Sequence, residues 1–174
     1  MTSMLITHSI GLGDYRIAPY PAHEEKWVIY GIGSCIGLIL CDRLTRISAM
    51  AHIVLPEPAP GSVVEQPGKF AVTAVPFLLE RMIRLGASPD HVYSQIAGGA
   101  CMLRLNLADI GAKNIQSIRA ALQEANIPII AEDVGGNHGR TLHWDLRTGK
   151  AIISRIGMPD VTLTPPAYLF RKKH

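Results

Sequence analysis

The sequence predicts an α+β layered domain, and three observations carry that reading. Seven short segments rich in Ile, Val and Leu and bounded by turn residues have the character of strands. Two longer segments repeat apolar residues at helical spacing. Strands and helices do not alternate strictly, as a doubly wound parallel sheet would require. The chain has 174 residues and is 48% apolar, which supplies one core without disulfide or metal staples. Residues 1–174 therefore read as a single domain, with a basic tail over 166–174.

In chain order, the strands are predicted at 27–30, 36–41, 47–55, 92–96, 128–134, 141–146 and 151–155. The last two are joined by "RTGK", a hairpin turn. The first helix is expected over 69–85, where Phe70, Ala74, Phe77 or Leu78, and Met82 form one stripe and Gly86 supplies the stop. Pro76 removes a backbone donor inside that stretch, so the helix is expected to kink or to begin later. The second helix is expected over 113–126, with Ile115, Ile118, Leu122 and Ala125 on its buried stripe and Asn126 and Pro128 ending it. Between strand and first helix, "PEPAPGSVVEQPG" reads as a loop.

Composition excludes several classes of function. The net charge of +3 is small, and part of it lies in the terminal Arg171, Lys172 and Lys173, so no nucleic-acid footprint is expected. No basic leader precedes an apolar run and no stretch of about 18 apolar residues occurs; neither export nor membrane insertion is expected. The three cysteines, Cys35, Cys41 and Cys101, have no zinc-type spacing and suggest a reduced, cytoplasmic protein. The tract "AEDVGGNHGRTLHWD" offers Asp133, His138, His143 and Asp145, but in no known ligand frame, and no metal or cofactor is expected.

The stretch "YGIGSCIGLILCDRLTRISAMAHI" holds the strongest chemical signal. With "CDRLTR" as a tight turn centred on Arg43 and Leu44, Cys35 and His52 become directly opposed residues of a hairpin, with Cβ atoms about 4.5–5.5 Å apart. An imidazolium at that range would lower the thiol pKa toward neutrality. Gly31 and Gly33 can adopt positive φ and expose N–H groups near the sulfur, the raw material of an oxyanion hole. Taken singly, the cysteine reads as a small buried hydrophobe and the histidine as a satisfied core or edge residue. Cys41 reads as core filling, and Cys101 as part of a glycine loop.

"GIGSCIGLILCD", "AMAHIVLP", "PGKFAVTAV", "IAGGACM", "IGAKNI" and "AEDVGGNHGR", in this order, resemble the chemoreceptor glutamine deamidase (CheD) family of bacterial and archaeal chemotaxis. "GLGDYRI" is similar to that family's opening strand. The resemblance implies a layered α/β/β sandwich, similar to the catalytic domain of the cytotoxic necrotising factor toxins. It implies Cys35 as nucleophile and His52 as its acid–base partner, acting through a thioester on glutamine side chains of methyl-accepting chemotaxis receptors. A CheC-type phosphatase is the second partner it implies. Two positions depart from the family pattern. Ile29 stands where a threonine would assist the histidine, which leaves three outcomes: a backbone carbonyl orients the ring, Tyr30 substitutes, or activity is impaired. Leu103 stands where phenylalanine is common, in a region expected to meet partners. The alternative function is a weak or silent module that binds receptor or phosphatase helices.

Overall fold

The computed structural model describes residues 5–19, 24–102 and 109–163. The expected tail at 166–174 and Leu103 lie outside the described residues. The fold is mixed α+β, with two five-stranded sheets and two α-helices among the described residues. Strands β1 (Ile6–Ser9), β3 (Glu25–Ile32), β8 (Arg140–Asp145), β9 (Lys150–Arg155) and β10 (Met158–Leu163) form one sheet in the order β1-β3-β8-β9-β10. The other sheet has the order β2-β5-β4-β6-β7, from β2 (Tyr15–Ala18), β4 (Ile36–Asp42), β5 (Ser48–Ile53), β6 (Val92–Gly98) and β7 (Ile129–Val134). Helix α1 spans Ala71–Arg84 and α2 spans Ile110–Glu124.

Alternation along the central strands sets the layers, because successive side chains of a strand point to opposite faces. Ile36, Leu38 and Leu40 of β4, with Ala49, Ala51 and Ile53 of β5, pack against Ala74, Leu78 and Met82 of α1 and Ile118 and Leu122 of α2. The other face of the same strands, with Ile39, Cys41 and Met50, packs against Trp27, Ile29, Leu142, Trp144 and Ile153 of the first sheet. Strands β4 and β5 are buried along their whole length. This agrees with their reading as apolar on both sides.

All seven strands and both helices expected from the sequence are present, within a few residues at each end. Helix α1 starts at Ala71 and runs unbroken through Pro76. The proline would leave the Val72 carbonyl without its helical donor. Val72 and Pro76 both lie on the exposed side, where water can satisfy that carbonyl. The Asp145 side chain accepts from Thr148 N–H at 3.0 Å in the "RTGK" turn, and Gly149 takes φ +66°.

The register of the β4–β5 hairpin corrects an expectation. Asp42 Oδ1 accepts from the N–H groups of Leu44 (2.8 Å) and Thr45 (3.0 Å), Asp42 N–H donates to Ile47 O (2.9 Å), and Arg46 takes φ +64°. The carboxylate thus organises a loop over residues 43–46, one residue further along at its centre than the turn the sequence suggested. Pairing moves by two residues. His52 lies opposite Gly37, not Cys35, and Cys35 precedes the strand. A shift of two keeps both side chains on the face the sequence assigned them, because side-chain direction repeats every second residue.

Candidate active site

His52 is held from three directions by one turn of the N-terminal segment. Ile10 O lies 3.3 Å from His52 Nδ1. Gly13 N–H donates to His52 O at 2.9 Å, and His52 N–H donates to Asp14 O at 3.0 Å. The turn is closed by Asp14 N–H to Gly11 O and anchored by Ile10 N–H to Val28 O. A carbonyl can only accept, so Nδ1 carries the proton and Nε2 presents its lone pair. Nε2 is buried without a hydrogen-bond partner among the described residues. Burial pushes the imidazole below its ordinary pKa, against the opposing pull of the Ile10 bond and the Asp14 charge. The ring is therefore neutral at neutral pH.

Cys35 sits at the mouth of the inter-sheet layer, half-buried, packed against the same cluster that Met50 and Ile39 belong to. His52 follows Met50 by two on β5 and so faces the same layer. Gly37, opposite His52, has no side chain to keep the sheets apart: a Cβ there would lie 2.7 Å from Leu142 Cδ2 and 3.0 Å from Ile32 Cδ1. Burial raises the Cys35 thiol above its ordinary pKa, with its own backbone N–H opposing. The expected imidazolium–thiolate pair is thus replaced by a neutral thiol and a neutral imidazole, because desolvation disfavours both charged forms.

The turn that carries Cys35 is fixed by its carbonyls. Gly33 O accepts from Ala100 N–H (2.8 Å), Ser34 O from Asn114 Nδ2 (2.8 Å) and Cys35 O from Gly99 N–H (2.7 Å). Just before it, β3 carries a bulge between Ile29 and Ile32, with Gly31 at φ +63°. Bulges of this kind re-aim the chain beside functional sites. Gly31 takes the positive φ expected of it; Gly33 is not among the positive-φ residues. Gly98, at φ +122°, passes so close to the turn that a Cβ would overlap the Cys35 carbonyl oxygen.

Of the other residues singled out in the sequence, Ile29 is fully buried against the inter-sheet face, with its Cδ1 3.4 Å from where a Gly37 Cβ would stand. Tyr30 points outward and is exposed. Cys41 is buried at the far end of the hairpin, taking a bond from Ser48 Oγ at 3.5 Å. Cys101 is exposed, its N–H donating to Gly136 O at 2.8 Å. Asp133, His143 and Asp145 do not converge. Asp133 pairs with Arg140 and Arg155, His143 Nε2 meets Ser154 Oγ at 3.1 Å, and Asp145 serves its turn. His138 lies in the glycine loop, its carbonyl accepting from Arg140. Among the described residues no cluster of His, Cys, Asp and Glu could hold a metal ion.

Two features of the site were missed in the sequence. The Ile10–Asp14 turn that cradles His52 was visible only as a pair of glycines before an aspartate. Asn114, fully buried on α2, donates through Nδ2 to Ser34 O and also to Val54 O at 3.0 Å. Its signal was a polar residue set among the apolar positions of an amphipathic helix.

Comparison with known proteins bears on what this arrangement does. Residues 54–155 match the CheD family model, described as CheD chemotactic sensory transduction. A probable chemoreceptor glutamine deamidase CheD of Symbiobacterium thermophilum is 42% identical over 154 residues, covering 86% of this chain and 92% of that protein. A protein of the same description from Clostridium novyi is 42% identical over 153 residues, covering 86% and 93%. Another, from Clostridium botulinum, is 39% identical over the same length and shares.

Proposed function

The chain belongs to the CheD family, and from that premise we propose that Cys35 and His52 convert glutamine side chains of chemoreceptors to glutamate through a thioester. Deamidation of receptors in chemotaxis is what the relatives' descriptions support. The observation that carries the reading to these two residues is the tautomer of His52. With Nδ1–H committed to Ile10 O, the unpartnered Nε2 is a base directed into the layer that Cys35 borders.

In the proposed sequence of steps, Nε2 takes the proton of the Cys35 thiol as sulfur attacks the carboxamide carbon. The oxyanion is met by N–H groups of the Gly33–Cys35 turn, whose carbonyls are tied back and whose orientation is thereby fixed. The imidazolium then gives its proton to the departing ammonia. Water, deprotonated by the same nitrogen, cleaves the thioester, releasing glutamate and restoring the thiol. No step needs a metal or an organic cofactor. The Ile10 carbonyl supplies the orientation that threonine at position 29 would supply.

We read residues 1–174 as one deamidase domain. Methyl-accepting receptors are its substrate, and a CheC-type phosphatase is a further partner. Among the described residues no helix is long and apolar enough to cross a membrane. A second reading has its own support: burial holds Cys35 protonated, as a silent module binding receptor or phosphatase helices would tolerate. The two are separated by incubating the protein with receptor cytoplasmic fragments and mapping glutamine sites by mass spectrometry. Conversion that disappears in Cys35→Ala supports the deamidase; helix binding without conversion overturns it.

A further inference from the structure

We infer that Asn114 is a positioning residue of the site, clamping the nucleophile's turn to the strand that carries the histidine. The inference rests on the deamidase reading for its kinetic consequence but not for its geometry. Both Nδ2 protons are committed, one to the carbonyl of the residue before Cys35 and one to the carbonyl of the second residue after His52. The assignment of the amide is forced: two carbonyls can only accept, so the NH2 end must face them.

The place of α2 reinforces this clamp. Gly111 lies against the loop that follows β6, where a Cβ would come within 2.5 Å of Gly99 O and 2.6 Å of Ala100 O. That loop in turn donates from Gly99 and Ala100 to the carbonyls of Cys35 and Gly33. Helix α2 therefore grips the Cys35 turn twice, through backbone at Gly99 and Ala100 and through the Asn114 side chain. Of these two grips, the side chain also hydrogen-bonds Val54, the residue that follows the strand of His52. One turn further along, Ser117 Oγ donates to Pro56 O at 3.2 Å, extending the same seam beyond β5.

A group that bridges two elements sets their relative position, and a displacement of about 1 Å at reacting atoms costs on the order of 100-fold in rate. Asn114→Ala is expected to lower kcat on receptor fragments by roughly 10- to 100-fold while KM stays within about threefold, because no substrate contact is lost. The diagnostic variant is Asn114→Asp. Its carboxylate would face two carbonyl oxygens, so charge at this position pushes turn and strand apart, whereas the protonated acid restores one donor. The activity of Asn114→Asp relative to Asn114→Ala is therefore expected to fall as pH rises. A side chain that merely filled space would give the two variants parallel pH profiles.

The experiment is run on the full chain. Thermal unfolding establishes the temperature at which each variant is folded. Iodoacetamide labelling of Cys35 against pH, read by peptide mass spectrometry, is measured beside deamidation kinetics. Labelling needs no receptor. If the wild-type protein deamidates nothing, the deamidase reading fails, and the labelling comparison still tests the clamp. A more than threefold change in Cys35 labelling in Asn114→Ala, with divergent pH profiles for Asn114→Asp, supports the inference. Labelling within threefold of wild type and parallel profiles overturn it. Should Asn114→Ala not fold, Asn114→Ser, which keeps one donor, carries the same comparison.

Discussion

Gly98→Ala tests the site most severely, because the substitution adds one methyl group where β6 passes closest to the Cys35 turn. A Cβ at this position would overlap the Cys35 carbonyl oxygen, lie 2.6 Å from Ile32 Cγ2, and stand 3.1 Å from the Cys35 carbonyl carbon. Ordinary carbon contacts are about 3.5–4.0 Å, so the turn must retreat by roughly 1 Å or more. The backbone adds to the cost, since φ is +122° and a side chain there is strained by about 1–3 kcal/mol. Overpacking contributes a further 1–3 kcal/mol or so. A total of about 2–6 kcal/mol corresponds to a fall in Tm of roughly 4–24 °C for a chain of this size. The same retreat displaces Cys35, and a shift of that size should cost about 100-fold in the proposed reaction. Differential scanning fluorimetry reads the first effect, and deamidation of receptor fragments at a temperature where the variant is folded reads the second. A variant with Tm within 2 °C of wild type and rates within threefold would refute the reasoning, since it would mean that the turn is not set by this contact.

Three other perturbations follow from the same geometry. Burial lowers the pKa of both His52 and His143 in the folded state. The unfolded chain therefore binds more protons as pH falls below about 6.5, and stability declines on acidification by at most about 1.4 kcal/mol per pH unit per histidine; urea unfolding between pH 7 and 5 should show a slope that His52→Gln reduces, and an unchanged slope would contradict it. Asp133→Ala leaves Arg140, whose side chain is 3% exposed, buried with carbonyl partners but no counter-charge; the expected loss is about 3 kcal/mol, or roughly 6–12 °C in Tm, and a loss below 2 °C would show that the carbonyls of Asp133, Gly135 and His138 suffice. Ile29→Thr places a hydroxyl in an apolar layer; it should cost about 1–3 kcal/mol and raise kcat by less than threefold, because Ile10 O already holds Nδ1. A tenfold gain would show that the carbonyl orients the ring poorly.

Much of this fold was legible in the sequence because its central elements carry strong local signals. The two-sided apolar runs of β4 and β5, the helical stripes of α1 and α2 and the turn at "RTGK" each declare themselves within a few residues. Strands β1 and β10 did not: each is only four to six residues long, they lie at the edges of their sheet, and most of their residues are exposed. Edge strands of that kind lack the burial that writes alternation into a sequence. The hairpin register failed for a different reason. Whether "CDRLTR" turns at Arg43 or one residue later depends on where the Asp42 carboxylate meets the N–H groups of Leu44 and Thr45, a choice that apolar patterning does not encode. The proposed roles of Cys35 and His52 rest on the local glycines and on the family resemblance. The partners that orient them come from residues about 40 to 80 positions away, Ile10 and Asn114, and no local pattern reports contacts at such separations.

Those distant partners change the meaning of the departure at position 29. An imidazole that works as a base needs one nitrogen committed and the other free, and the committed nitrogen can be served by any acceptor in the right place. A threonine hydroxyl on β3 would serve, but as both donor and acceptor it leaves the tautomer to its surroundings. A backbone carbonyl only accepts, and Ile10 O is fixed by the turn that also brackets the His52 backbone. With that bond made, position 29 has no polar task, and a buried isoleucine there packs against Gly37 and excludes water from the layer. The exclusion has a chemical cost, since it keeps Cys35 protonated and His52 neutral in the resting protein. In the proposed mechanism, proton transfer from sulfur to Nε2 then has to accompany attack on the carboxamide rather than precede it. A thiol of this kind resists alkylation at neutral pH and labels faster only as pH rises above the ordinary cysteine range. Iodoacetamide reactivity of Cys35 across pH 6–10 is therefore expected to lack an acidic inflection near the histidine pKa, and an inflection there would return the site to a preformed ion pair.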